Sequence, residues 1–143
     1  MRLKRYLEMR GSDGGPWGRL PALPAFWVGL LYDDVSLDAA WDMVKHWTAP
    51  ERQALRDDVP RFGFKARIKD HYLFEIAKEC LVLAHAGLRR RGRIDPLGRD
   101  ETRHLEPLDR IIDSGRTPAE EMLEKFNGPW KGSVEPAYAE YAF

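Results

Sequence analysis

Alternating side-chain types open the chain and predict a β-strand over residues 3–10. One face of this segment would carry Leu3, Arg5, Leu7 and Met9, and the other would carry Lys4, Tyr6, Glu8 and Arg10. Because residues two apart share a face of a strand, a period of two over this length is typical of β-structure. The glycines and proline that follow predict a loop over residues 11–21.

From residue 22 onward, the apolar positions recur at helical spacing. An apolar, aromatic run predicts a buried helix over residues 22–32, too short to cross a membrane. Ser36 is the predicted N-cap of a second helix that reaches residue 47, with Trp41 on its apolar face. The longest apolar stripe predicts a helix over residues 68–91, and a shorter stripe predicts one over residues 105–112.

Two capping boxes mark further helix starts. Thr48 stands three residues before Glu51, so its hydroxyl can accept from an early backbone N–H while the glutamate reaches back. Thr117 and Glu120 repeat the arrangement, with Pro118 at the first helical position, where a missing N–H costs nothing. Both helices are therefore predicted to begin directly after a threonine.

The fold class predicted from these patterns is mainly α, with one N-terminal strand plus five or six helices. A lone strand leaves its backbone donors and acceptors unpaired, and the later sequence offers it no clear partner. We therefore expect its partner strands to lie outside this chain. The chain then resembles the C-terminal piece of something larger.

Composition and charge narrow the possible functions. The 143 residues suit one domain, and a hydrophobic fraction of 43% allows an ordinary core. Lys and Arg number 23, as do Asp and Glu, so the net charge of zero argues against a nucleic-acid partner. No apolar stretch predicts a membrane span or a signal peptide, so the expected location is cytoplasmic.

Glu8 and Arg10 form the most informative pair of polar residues. On one strand face they would lie about 6.6 Å apart. A carboxylate beside a guanidinium suits Mg²⁺ and nucleotide chemistry, since Mg²⁺ prefers oxygen ligands and the arginine fork clamps phosphate. On spacing alone, the favoured interpretation is a simple surface ion pair in an exposed strand.

The histidines and the single cysteine give weaker signals. His46, His71, His85 and His104 are scattered without metal-ligand spacing, so we interpret them as exposed or hydrogen-bonded side chains rather than a zinc site. Cys80 lies on an apolar stripe and is expected to be inert packing rather than a nucleophile.

Two adjacent strings carry a specific resemblance to a known family. These are residues 6–17 (YLEMRGSDGGPW) and residues 23–33 (LPAFWVGLLYD). They resemble the C-terminal region of glutamate–cysteine ligase of the plant and alphaproteobacterial type. Later segments agree with the resemblance, among them residues 115–120 (GRTPAE).

The resemblance implies an ATP-dependent ligase that joins glutamate and cysteine with Mg²⁺, as the first step of glutathione synthesis. It implies a glutamine-synthetase-like α+β fold in which Glu8 ligates the metal. Arg10 would be the catalytic contact to the phosphate of ATP or of phosphorylated glutamate, and Asp13 would border the substrate site. The implied partners are glutamate, cysteine, ATP and the missing N-terminal catalytic part.

On this basis we expect a single partial domain. Residues 1–10 would be a strand of the catalytic sheet, residues 11–21 a Gly/Pro loop, and residues 22–143 a helical C-terminal region. The isolated chain is expected to be inactive, because most of the family's substrate-binding residues would lie N-terminal to it. The alternatives are a subunit of a split ligase, or a non-catalytic helical module that adds its strand to a partner's sheet.

Overall fold

The computed structural model describes residues 2–3, 5, 7–9 and 15–142, and it is mainly α. None of the helices in these ranges is long and apolar enough to span a membrane. The α-helices are α1 (Ala22–Leu31), α2 (Asp34–Val44), α3 (Ala49–Phe62), α4 (Leu73–Arg91), α5 (Glu106–Ser114), α6 (Pro118–Asn127) and α7 (Glu135–Glu140). Short 3-10 helices at Gly63–Lys65 and Glu101–Leu105 precede α4 and α5.

The N-terminal segment is a short hairpin rather than the single strand predicted over residues 3–10. Strands β1 (Arg2–Leu3) and β2 (Leu7–Glu8) pair antiparallel, with Arg2 opposite Glu8 and Leu3 opposite Leu7. Residues opposite each other in such a pair share a face of the sheet. The alternation of side-chain types therefore continues through the hairpin turn, and the pattern does not distinguish a hairpin from one long strand. The expectation that this strand has no partner within the chain is therefore corrected.

The core forms where α1 crosses α4. Ala25 and Leu30 of α1 pack with Leu81, Ala84 and Leu88 of α4, and Leu105 completes the buried cluster. Gly29 and Gly87 bring the two backbones into contact at the crossing. A Cβ on Gly87 would lie 1.9 Å from the carbonyl oxygen of Gly29, so only hydrogen fits there. The predicted helix over residues 22–32 is confirmed as α1.

The N-cap of helix α2 is Asp33 instead of Ser36, so the helix begins three residues before the predicted start, and it ends at Val44 rather than residue 47. The Asp33 carboxylate accepts the backbone N–H of Ser36 at 2.8 Å. Ser36 itself is fully buried, and its hydroxyl donates to the backbone carbonyl of Leu83 on α4 at 2.8 Å. Both residues are good cap types, and a tertiary contact decided between them.

A second hairpin replaces the first turn of the helix predicted over residues 68–91. Strands β3 (Arg67–Ile68) and β4 (His71–Tyr72) pair antiparallel around Lys69, which has a φ of 52°. The Arg67 guanidinium lies 4.5 Å from the centre of the Tyr72 ring, a cation–π contact across the hairpin. Helix α4 then begins at Leu73 and ends at Arg91.

Both predicted capping boxes are confirmed. The Thr48 hydroxyl accepts from the backbone N–H of Glu51, and the Glu51 carboxylate accepts from the backbone N–H of Thr48 at 2.7 Å. Thr117 and Glu120 make the same reciprocal pair at the start of α6, where Thr117 N–H donates at 2.7 Å. Local sequence thus fixes where α3 and α6 begin.

Removing one cap gives a testable prediction. Thr117→Ala is expected to lower the free energy of unfolding by about 1 kcal/mol, because an early backbone N–H of α6 loses its acceptor. Chemical denaturation measures the loss. Thr117→Ser keeps the hydroxyl and is expected to stay within about 0.5 kcal/mol of the parent. Equal losses in the two variants would contradict the capping role.

Candidate functional site

The structure describes only one of the three predicted site residues. Glu8 lies on β2 with a half-buried side chain, and Arg5, in the turn before this strand, is exposed. Arg10 and Asp13 lie outside the described residues, as do residues 11–14 at the start of the predicted glycine loop. The geometry of the Glu8 and Arg10 pair therefore stays a prediction.

A magnesium site is not complete within the part of the chain that the structure describes. No three His, Cys, Asp or Glu side chains lie together there in a way that could hold a metal ion. Mg²⁺ demands near-octahedral oxygen coordination, of which Glu8 offers one carboxylate. The described residues alone do not fit the ion, and any further ligands must come from elsewhere.

A cleft lies between the second half of the predicted loop and helix α5. Its volume is about 410 Å³, and it is lined by Pro16, Gly18, Arg19, Pro107, Arg110, Ile111 and Glu121. Arg19 faces Glu121 at 4.0 Å, and Arg110 pairs with Glu106 at 2.6 Å. A guanidinium held only at 4.0 Å can exchange its partner for an incoming phosphate or carboxylate. Sequence reasoning missed this cleft, because its walls are about ninety residues apart along the chain.

Asp33, Ser36 and Arg90 form a network that holds α2 against α4. Arg90 Nε lies 2.9 and 3.0 Å from the two carboxylate oxygens of Asp33, and an Arg90 terminal nitrogen donates to the Ser36 hydroxyl at 2.8 Å. Hydrogen bonds from Arg90 and then from the Ser36 N–H hold the pKa of Asp33 well below its usual range. The network positions the helices that follow the loop.

The lowered pKa predicts acid sensitivity. A carboxyl group with a depressed pKa stabilises the fold above its unfolded pKa of about 3.9, and this stability is lost as the pH falls towards the folded value. Asp33→Asn keeps an N-cap but loses the charge. Unfolding of this variant below pH 4 is therefore expected to take up fewer protons, by up to about one per molecule.

Denaturation midpoints between pH 2 and pH 7 measure this effect. The exposed neighbour Asp34 provides the matched control, Asp34→Asn, which should retain the parent slope. Some acid sensitivity remains in both variants, because Asp95 also has a lowered pKa of about 2, held chiefly by the backbone N–H of Arg99. An unchanged slope in Asp33→Asn would contradict the network's electrostatic role.

Helix α4 also carries His85 and Cys80, on different faces. His85 Nε2 lies 2.8 Å from a carboxylate oxygen of Asp109, and both residues line a cavity of about 170 Å³. Cys80 is half-buried against the core, and burial, followed by the charge of Glu79, raises the pKa of its thiol. The neutral thiol is therefore favoured, which confirms the prediction of a packing role.

Comparison with known proteins decides the family. The model of glutamate-cysteine ligase family 2 matches residues 1–140. The chain belongs to this family. The chloroplastic glutamate–cysteine ligase of Arabidopsis thaliana is 50% identical to it over all 143 residues, and that of Nicotiana tabacum is 49% identical. The similarity predicted from the N-terminal strings thus extends along the entire chain.

The comparison also shows how much of the ligase this chain represents, and it corrects the predicted location. The chain spans only 26% of the length of the Arabidopsis and tobacco ligases, so it corresponds to about a quarter of each. The predicted cytoplasmic location is wrong by the same comparison. The matching ligases of Arabidopsis, tobacco, tomato and rice are all named chloroplastic.

Proposed function

We propose that the chain is the C-terminal part of a glutamate–cysteine ligase of the plant and alphaproteobacterial type, with a glutamine-synthetase-like catalytic fold. The observation that carries the proposal is identity of about half to plant ligases across all 143 residues. Within the ligase, the chain would form one side of the catalytic site. The other side would come from the remaining three-quarters of the polypeptide.

The proposed reaction has two steps. First, the γ-carboxylate of glutamate attacks the γ-phosphorus of ATP, which breaks the bond to ADP and forms γ-glutamyl phosphate. The amine of cysteine then attacks the acyl carbon, loses a proton and expels inorganic phosphate, and the product is γ-glutamylcysteine. This dipeptide would enter glutathione synthesis. Both steps need positive charge near the transferring phosphoryl group.

Residues of this chain would supply part of that environment. Arg10 would contact the phosphate of ATP or of the acyl phosphate, and Asp13 would border the substrate. Glu8 would provide one carboxylate ligand to Mg²⁺, which would neutralise phosphate charge when bound. In the cleft lined by the loop and α5, Arg19 lies 4.0 Å from Glu121 and would be able to exchange that partner for an anionic substrate group.

A full-length chimera tests the proposal. The matching quarter of the Arabidopsis ligase is replaced by this chain, and the product formed from glutamate, cysteine and ATP is identified by mass spectrometry. We expect γ-glutamylcysteine in amounts that depend on both amino acids. A folded chimera that forms no such product, beside an active Arabidopsis parent, would contradict the proposed function.

A further inference from the structure

Helix α1 carries a surface that the described chain covers only in part. Its ten residues, ALPAFWVGLL, include no charged side chain, and their one polar side-chain group is the indole N–H of Trp27. A helix that is apolar nearly all round is normally buried on all sides. Only Ala22, Ala25, Gly29 and Leu30 are buried. Leu23, Trp27 and Leu31 follow each other at four-residue spacing, away from the buried stripe. Leu23 is 37% exposed, whereas Trp27 and Leu31 pack partly against the core and remain half-buried.

The neighbouring helix α2 also exposes apolar side chains. Leu37 and Trp41 share a face at four-residue spacing and are 39% and 60% exposed, and α2 packs directly on α1. The predicted apolar face of α2 is thus exposed at Trp41 in the described chain. We call Leu23, Trp27, Leu31, Leu37 and Trp41 the outer face of α1 and α2.

The total surface area points to a large partner. The chain exposes 10327 Å², about a third more than the roughly 7,600 Å² expected for a compact monomer of 16.5 kDa. The difference exceeds the roughly 800 Å² that each partner buries in a standard interface. The chain therefore has the surface area of part of a larger folded body.

We propose that the outer face of α1 and α2 docks onto the remainder of the same ligase polypeptide. This inference rests on the proposed function, since it takes the remainder to be the other part of a glutamate–cysteine ligase. The plant relatives supply that occupant, because their chains are nearly four times as long as this one. A covalently joined partner is present at a high effective concentration, which favours it over a second copy.

Hydroxyl-radical footprinting of the full-length chimera tests this docking against the chain alone. We expect oxidation of Trp41 and Leu37 to be at least about fivefold slower in the chimera, since the remainder of the ligase excludes solvent from them. Leu97, which is 73% exposed and lies in the loop before α5, is the internal reference. Equal oxidation of Trp41 in the two proteins would overturn the proposal.

Two further measurements exclude other occupants. Analytical ultracentrifugation of the chain alone tests whether it dimerises. If the dimer protects Trp41 from oxidation and the chimera protects it no more strongly, the occupant is a second copy and the proposal fails. In the chimera, Trp41→Glu should lower the melting temperature by several degrees more than Leu97→Glu does. Similar effects of the two variants would also overturn the docking.

Activity of the same chimera separates the two proposals. A chimera that protects the outer face but makes no γ-glutamylcysteine would leave the docking intact and remove the proposed function. An active chimera whose outer face is oxidised as fast as in the chain alone would support the proposed function and overturn the docking.

Discussion

Replacing Gly87 with alanine is expected to lower the free energy of unfolding by about 2–3 kcal/mol, in the upper range for overpacked sites. The new methyl group would lie 1.9 Å from the carbonyl oxygen of Gly29 and 3.0 Å from the hydroxyl oxygen of Ser36. Its nearest neighbour is backbone, so α1 and α4 must separate. The expected loss is a net value, because the higher helix propensity of alanine offsets about 1 kcal/mol of the cost of separating the two helices.

Thermal and chemical denaturation measure the loss, which corresponds to a melting temperature lower by roughly 6–10 °C. The matched control is Gly18→Ala, because no atom lies within 4 Å of the added Cβ. That variant is expected to stay within about 0.5 kcal/mol of the parent. If Gly87→Ala were as stable as Gly18→Ala, the close crossing of α1 and α4 would be wrong.

Glu8→Ala in the full-length chimera is expected to reduce ligase turnover at least about 100-fold. Loss of a metal contact that stabilises phosphoryl charge removes several kcal/mol from the transition state, and each 1.36 kcal/mol is a factor of ten. If Glu8 binds the ion, the concentration of Mg²⁺ needed for half-maximal activity should also rise. This second readout separates a ligand from a residue that only supports the hairpin.

Arg5→Ala provides the control for this experiment. Arg5 is exposed in the turn between β1 and β2 and has no proposed role in the reaction, so its removal perturbs the same hairpin without removing a proposed ligand. We expect the turnover of the Arg5→Ala chimera to remain within about twofold of that of the unsubstituted chimera. A Glu8→Ala enzyme with more than half of the parent activity and unchanged Mg²⁺ dependence would contradict the assigned role.

Helix boundaries were predictable where the signal is local. Thr48 and Thr117 cap their helices as predicted, because each cap depends on residues three positions apart. The apolar run also predicted α1 to within one residue, since the predicted helix ends at residue 32 and the observed helix ends at Leu31. The short helix α7 carries a weaker pattern and was not predicted.

Elsewhere the fold depends on contacts that sequence spacing does not encode. Lys69 adopts a positive φ without glycine, so nothing in the sequence marks the turn between β3 and β4. Asp33 and Ser36 are both acceptable caps, and the Arg90 contact, more than fifty residues away, determines their roles. The pattern on α2 identified an apolar face correctly, but the described chain leaves Trp41 exposed on it.

The candidate site was predictable only in part. Residue spacing and family resemblance both pointed to Glu8, which the structure places on a short strand. The arginines of the adjoining cleft come from the loop and from α5, and tertiary packing alone brings them together. When a site is assembled from segments far apart in the chain, the residue spacing within any one segment does not predict it.

Phosphate release by the isolated chain and by the full-length chimera, measured side by side, tests the central claim most directly. Each assay contains ATP, Mg²⁺ and glutamate, with and without cysteine. We expect cysteine-dependent release from the chimera and none above background from the isolated chain, because Glu8 alone does not complete a metal site. Release by the isolated chain that requires both amino acids would contradict a site divided between this chain and the rest of the ligase.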